Sequence, residues 1–117
     1  MPYVSPVVEN DFKDRLNKCV DIIKNSSIKY QSLGIFGSYA RNDYKASSDI
    51  DFCIIVPEKP ERWMMGALRE ELEMLHADVV FVTPQYFEHD NSKFTQQLRR
   101  DYKAVSYTHL TLPTKLE

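Results

Sequence analysis

The residues best suited to chemistry lie between positions 36 and 51. Gly37 and Ser38 follow directly on an apolar run, and ten residues separate Ser38 from Asp49. Asp49-Ile50-Asp51 then opens a second apolar run, Phe52 to Val56. A glycine lets the backbone turn tightly beside a polyphosphate, and the amides of a following helix start can bind phosphate oxygens. The Ser38 hydroxyl is placed to cap that helix or to bond a terminal phosphate. Two acids spaced one residue apart on a strand project to the same face, about two residue rises apart, and repel each other unless cations lie between them. The chemistry that suits this set is metal-assisted transfer of a nucleotide. An isolated Asp-x-Asp is more often a solvated strand start, and a lone Gly-Ser is usually a turn. Here the weight comes from position: the acids open a strongly apolar strand, with the Gly-Ser pair upstream.

Those residues need elements to hold them. Phe12, Leu16, Cys19, Val20, Ile22 and Ile23 recur at helical spacing and predict a helix over about 10–25, after an irregular lead-in at 1–8. A strand over 30–36 ends at Gly37, and a short helix is expected over 38–44. The strongest strand runs from 49 to 56 and is stopped by Pro57 and Pro60. A helix over about 60–76, a strand over 77–82 ended by Thr83-Pro84, a helix over 91–101 and a short edge strand over 102–106 complete the order. The helix at 60–76 is long enough to make a crossover, which leaves the strands on either side of it parallel. Parallel neighbours start at the same end, so Asp78 is expected beside Asp49 and Asp51 as a third acid. Asp43, Glu58, Glu61 and Asp90 fall in loops or helix starts, where solvation or helix-dipole pairing accounts for them. The expected fold class is α+β with α/β-like alternation: a small mixed sheet flanked by helices on one side, its first two strands antiparallel.

Composition sets limits. At 117 residues the chain is one domain, assigned to 1–106. The tail 107–117 continues no pattern; its closing Leu116-Glu117 reads as a cloning scar, after what reads as translated vector sequence. A formal charge of −2 argues against general nucleic-acid binding. No apolar run approaches the length of a membrane span and no signal pattern opens the chain, so a soluble, cytoplasmic protein is expected. Cys19 and Cys53 lie in different elements without metal-type pairing; each is expected as a small buried hydrophobe, and a structural zinc site is not expected.

Phe36-Gly37-Ser38-Tyr39-Ala40-Arg41 and Ser48-Asp49-Ile50-Asp51, with an acid on a later strand, resemble the signature of the DNA polymerase β-like nucleotidyltransferase superfamily. The resemblance covers roughly residues 10–105 and is closest to the minimal nucleotidyltransferases of bacteria and archaea. Asn42 departs from the pattern, where a glycine is common. The resemblance implies the polymerase β-like nucleotidyltransferase fold, two magnesium ions on Asp49 and Asp51, and Asp78 completing the metal site. It implies that Gly37, Ser38 and nearby amides grip the phosphates of ATP, with Arg41 and Lys45 as further phosphate contacts or as solvated surface. It also implies a setting: such enzymes resemble the antitoxin of a two-gene system and transfer AMP to a tyrosine of a HEPN-domain toxin. Two alternatives stand beside this one, an antitoxin that neutralises its partner by contact alone, and transfer to a small molecule such as an aminoglycoside. Exposed apolar side chains near the metal cleft, Trp63 or Tyr39, would mark a partner surface; Met64 and Met65 are read as core or as part of the same interface.

Overall fold

The computed structural model describes residues 6–41 and 49–107. In chain order its elements are α1 (Pro6–Asn25), β1 (Ser32–Phe36), α2 (Ser38–Arg41), β2 (Ile50–Ile55) and α3 (Arg62–Glu73). They continue with β3 (Ala77–Val82), α4 (Pro84–His89), α5 (Lys93–Asp101) and β4 (Lys103–Tyr107). The strands form one mixed sheet in the order β3-β2-β1-β4. β1 is antiparallel to both β2 and β4, while β2 and β3 are parallel and joined through α3. This is the expected α+β architecture, with the short β4 as an edge strand.

Alternation along the central strands sorts the core into two layers. Ile50, Phe52 and Ile54 share one face with Val79 and Phe81, and α1 and α3 cover it with Cys19, Ile23, Leu68 and Leu72. Cys53, Ile55, Val80 and Val82 take the other face and pack on Phe87 of α4, Leu98 of α5 and Tyr102. Helices therefore cover both faces, and the expectation of helices on one side only is corrected. The reason is visible in the unbroken apolar run Phe52-Cys53-Ile54-Ile55-Val56: a strand apolar on both faces needs a layer on each. The element missing from the sequence reading is α4. Thr83-Pro84 does end β3, but it also starts this helix, with the Thr83 hydroxyl accepting the Tyr86 amide at 3.3 Å and Pro84 in the first turn.

Other boundaries move for local reasons. α1 begins at Pro6, inside the expected lead-in, because proline suits a first helical turn. α3 ends at Glu73, and His76 then takes a left-handed φ of 56°. That turn aims the His76 carbonyl at the Ile50 amide, 3.0 Å away, and so ties the start of β2 to the start of β3. The expected helix over 38–44 is described as far as Arg41; its remainder, with Asn42, Asp43 and Lys45, and the tail from 108 onward lie outside the described residues.

Gly34 shows how tightly β4 docks. A Cβ there would run into the Tyr102 ring and come within 2.7 Å of the Lys103 carbonyl oxygen. The pairing of β1 with β4 also shifts register at this point. Gly34→Ala is expected to destabilise the fold by about 1–3 kcal/mol, the usual range for overpacking, because backbone as well as ring must move. Urea unfolding of the two proteins measures it; unchanged stability would mean that β4 is not held against β1 as described.

Candidate active site

The site grows out of one row of the sheet. Phe36 pairs with Asp51 across the antiparallel ladder, and Asp51 pairs with Asp78 across the parallel one. Neighbouring strands lie about 4.8 Å apart, so the row brings the two acids together at one end of the sheet. Asp49 stands one residue before β2 and is exposed, Asp51 is half-buried and Asp78 is exposed. Immediately after Phe36 the chain turns at Gly37, with φ at +78°. A Cβ at residue 37 would lie 2.7 Å from Asp51 Oδ2, so only glycine passes this close to the carboxylate in this conformation. Ser38 opens α2, and the Arg41 amide donates to the Gly37 carbonyl at 3.0 Å, which sets Arg41 one turn beyond the glycine. Gly37, Ser38, Arg41, Asp49, Asp51 and Asp78 thus gather at one end of the sheet.

Burial holds the Asp51 carboxyl above the usual carboxylate range, and the negative charges of Asp78 and Asp49 push it further up. The Arg41 guanidinium offsets part of that push. Clustered hard oxygen donors are the chemistry that magnesium selects. They are not, however, drawn into a closed ligand set: among the described residues no three His, Cys, Asp or Glu side chains are grouped tightly enough to hold a metal ion. Part of the reason is local, since Asp78 Oδ1 accepts the Val79 amide at 2.8 Å. Unscreened repulsion also favours carboxylates that splay apart. The donor types fit a divalent cation.

Two neighbours of the row escaped the sequence reading. Phe94 of α5, half-exposed, meets Phe36 edge-on with ring centroids 6.0 Å apart. Asp101, at the end of α5, reaches Arg41 with an oxygen 2.6 Å from Nη1. Beside the acids, a cleft of about 300 Å³ opens between the β3 start and the end of α3, lined by Asp49, Asp78, Glu70, Glu73, Arg69 and His76. The proposed partner markers fall elsewhere. Tyr39 is buried, stacked on Phe12 at 4.4 Å, with its hydroxyl accepting Arg15 Nη2 at 2.7 Å. Trp63 is 69% exposed, but it sits at the start of α3, whereas the acids lie near the end of that helix. Met64 and Met65 are half-buried against the core.

Two outcomes follow from this geometry. Gly37→Ala is expected to cost about 1–2 kcal/mol of stability from the left-handed backbone alone, with Asp51 displaced in addition. A melting curve unchanged from the parent would contradict the close approach. Asp51→Asn is expected to raise stability at neutral pH when a chelator is present. The sign follows from a folded-state pKa above the unfolded one: Asp51's contribution is full below the unfolded value and is lost as pH rises through the folded one. The asparagine, which mimics the protonated form, should therefore gain at pH 7 and lose its advantage below about pH 4. Melting temperatures of both proteins across pH 3–8 test this.

Comparison with known proteins agrees with the geometry. The family model described as a nucleotidyltransferase domain matches residues 16–102. "Putative protein adenylyltransferase MJ0128" of Methanocaldococcus jannaschii is 42% identical over 66 residues, spanning 56% of this chain and 66% of that relative. MJ1215 of the same organism carries the same description and is 35% identical over 75 residues, 63% of this chain and 86% of that relative. Among solved structures, a toxin–antitoxin complex with AMP-PNP gives a TM-score of 0.59 at 23% identity, covering 80% of this chain and 74% of that one. The MNT antitoxin bound to a tri-AMPylated HEPN toxin of Shewanella oneidensis gives 0.56 at 22%, covering 84% and 74%. At these identities the structures speak for the fold. Among the described residues no helix is long and apolar enough to cross a membrane. With its family model spanning both the glycine turn and the acid row, the chain belongs to the nucleotidyltransferase domain family.

Proposed function

We propose that the chain transfers AMP from ATP, with magnesium, to a hydroxyl of a partner protein, a tyrosine of a HEPN-domain toxin. The observation that carries the reading is Gly37, at φ +78°, backed against Asp51 in the row that Asp51 shares with Asp78. That puts a tight backbone turn, the kind that suits a polyphosphate, directly beside the Asp51 carboxylate. The names of the relatives, protein adenylyltransferases, support the choice of AMP and of a protein acceptor. The solved neighbours, an AMP-PNP complex of a toxin–antitoxin pair and an AMPylated HEPN toxin with its antitoxin, support the partner.

In this reading Asp49, Asp51 and Asp78 hold two magnesium ions, and Gly37 and Ser38 receive the phosphates with Arg41 beside them. Bound there, the metal neutralises the polyphosphate and the departing pyrophosphate. The acceptor oxygen bonds to the α-phosphorus while the bond from that phosphorus to the β-bridging oxygen breaks. The acceptor proton passes to Asp78, whose exposed carboxylate borders the open cleft.

Asp49→Asn and Asp51→Asn are each expected to lower the rate of transfer by about two to three orders of magnitude, the scale for losing one group that stabilises developing charge, while the fold persists. Mass spectrometry of a co-expressed HEPN-type partner tests it, through AMP additions present with the parent and absent with Asp49→Asn. A partner neutralised equally by both forms, with no mass shift, would instead select the contact-only antitoxin. Transfer to an aminoglycoside but not to protein would select the small-molecule acceptor.

A further inference from the structure

Asp101 is an acid without a role in the reading above, and its surroundings are unusual for one. Its side chain is only 5% exposed, at the last position of α5, yet it is ionisable. Carboxylates are seldom enclosed this far unless a partner meets them. The partner is Arg41, sixty residues away in sequence, whose Nη1 donates to Asp101 Oδ2 at 2.6 Å. Gln97 Nε2, one turn back on α5, approaches the same oxygen at 3.5 Å.

The pair is asymmetric. Asp101 is shut inside, while the Arg41 side chain is 43% exposed. The exposed member is the one beside the acids: Arg41 lies one turn from Gly37, and Gly37 touches Asp51. Its charge is felt at Asp51 as well. A guanidinium is a rigid planar fork, so an oxygen that holds Nη1 narrows the directions open to the rest. A lysine at 41 would supply charge without that geometry. A tie meant only to bind α5 to α2 would not need its cation at the mouth of the site.

We propose that Asp101 is a positioning residue for the nucleotide: it holds the Arg41 guanidinium in the orientation that meets the polyphosphate of a bound nucleoside triphosphate. The proposal rests on the reading of Gly37 to Arg41 as the phosphate side of the site. Asp101 touches no substrate itself and acts through Arg41 alone.

The test is a double-mutant cycle on the full chain. Magnesium–ATP affinity by calorimetry and the kcat and KM of transfer are compared for the parent, Asp101→Asn, Arg41→Ala and the double variant, with melting temperatures alongside. Asp101→Asn is expected to weaken ATP binding and kcat/KM by about 10- to 100-fold, the scale for losing a group that orients another. In the Arg41→Ala background the same change is expected to do almost nothing further. Additive losses, or a lowered melting temperature with ATP affinity intact, would overturn the positioning role and leave a structural tie. Should Asp101→Asn fail to fold, Arg41→Lys reads the contact from its exposed side. Lysine keeps the charge but not the fork, so an ATP affinity equal to the parent's would overturn the proposal. A parent protein that binds no ATP would sink the functional reading and this proposal together. Loss of binding in Arg41→Ala without loss in Asp101→Asn would sink the proposal alone.

Discussion

Like charges crowded at one end of the sheet are the constraint around which the rest is arranged. Asp51 is half-buried, faces Asp78 in register and feels Asp49, and the Arg41 guanidinium offsets only part of the sum. A cluster of this kind lowers stability on its own, so the fold must hold it by other means. Two apolar layers do so, one under α1 and α3 and one under α4 and α5, and both grip the same short strands. The His76 carbonyl, turned by its left-handed backbone, ties the first residue of β2 to the segment entering β3, so repulsion cannot part the strands where it is greatest. Stability gained in the core is what lets the site remain charged.

The two halves of the site are held by different kinds of force. The acid row is fixed by backbone hydrogen bonds of the ladder, which permit little variation. The side of Gly37 and Arg41 is fixed by a turn that only glycine fits, and by one ion pair that spans the molecule from α2 to α5. The first is insensitive to salt. The second has one member half-exposed, so part of its attraction is screened. Ionic strength therefore acts on the hold at Arg41 more than on the ladder that sets the acids in register.

How much of this was legible in the sequence depends on the range of the interaction. Asp51 and Asp78 come together through a period of two along strands and a crossover of fixed geometry, both of which are local rules. The parallel continuation of the sheet follows from the same crossover rule, its antiparallel start from the need to bring Gly37 to the strand that opens at Asp49, and all four strands are anticipated within one or two residues. Thr83-Pro84 carried its cap and first-turn signal openly, yet a six-residue helix with no buried side chain leaves no periodicity to notice. Asp101 was visible only as a residue on a helix; its pairing with Arg41 joins distant segments, and no spacing encodes it. Tyr39 stood inside the motif stretch, and what buries it, Phe12 and Arg15, lies on the far side of β1 in sequence.

The two cysteines occupy opposite layers, Cys19 with α1 and α3 and Cys53 with α4 and α5. Burial pushes the Cys19 thiol up to about 11 and the Cys53 thiol up to about 12, so neither is a nucleophile at neutral pH in the folded protein. Both become ordinary thiols once their layer opens. Alkylation of Cys19 therefore reports loss of the layer formed by the first and third helices, and alkylation of Cys53 reports loss of the layer that carries α5. The protein holds two built-in clocks, one for each side of its sheet, and their ratio says which side lets go first.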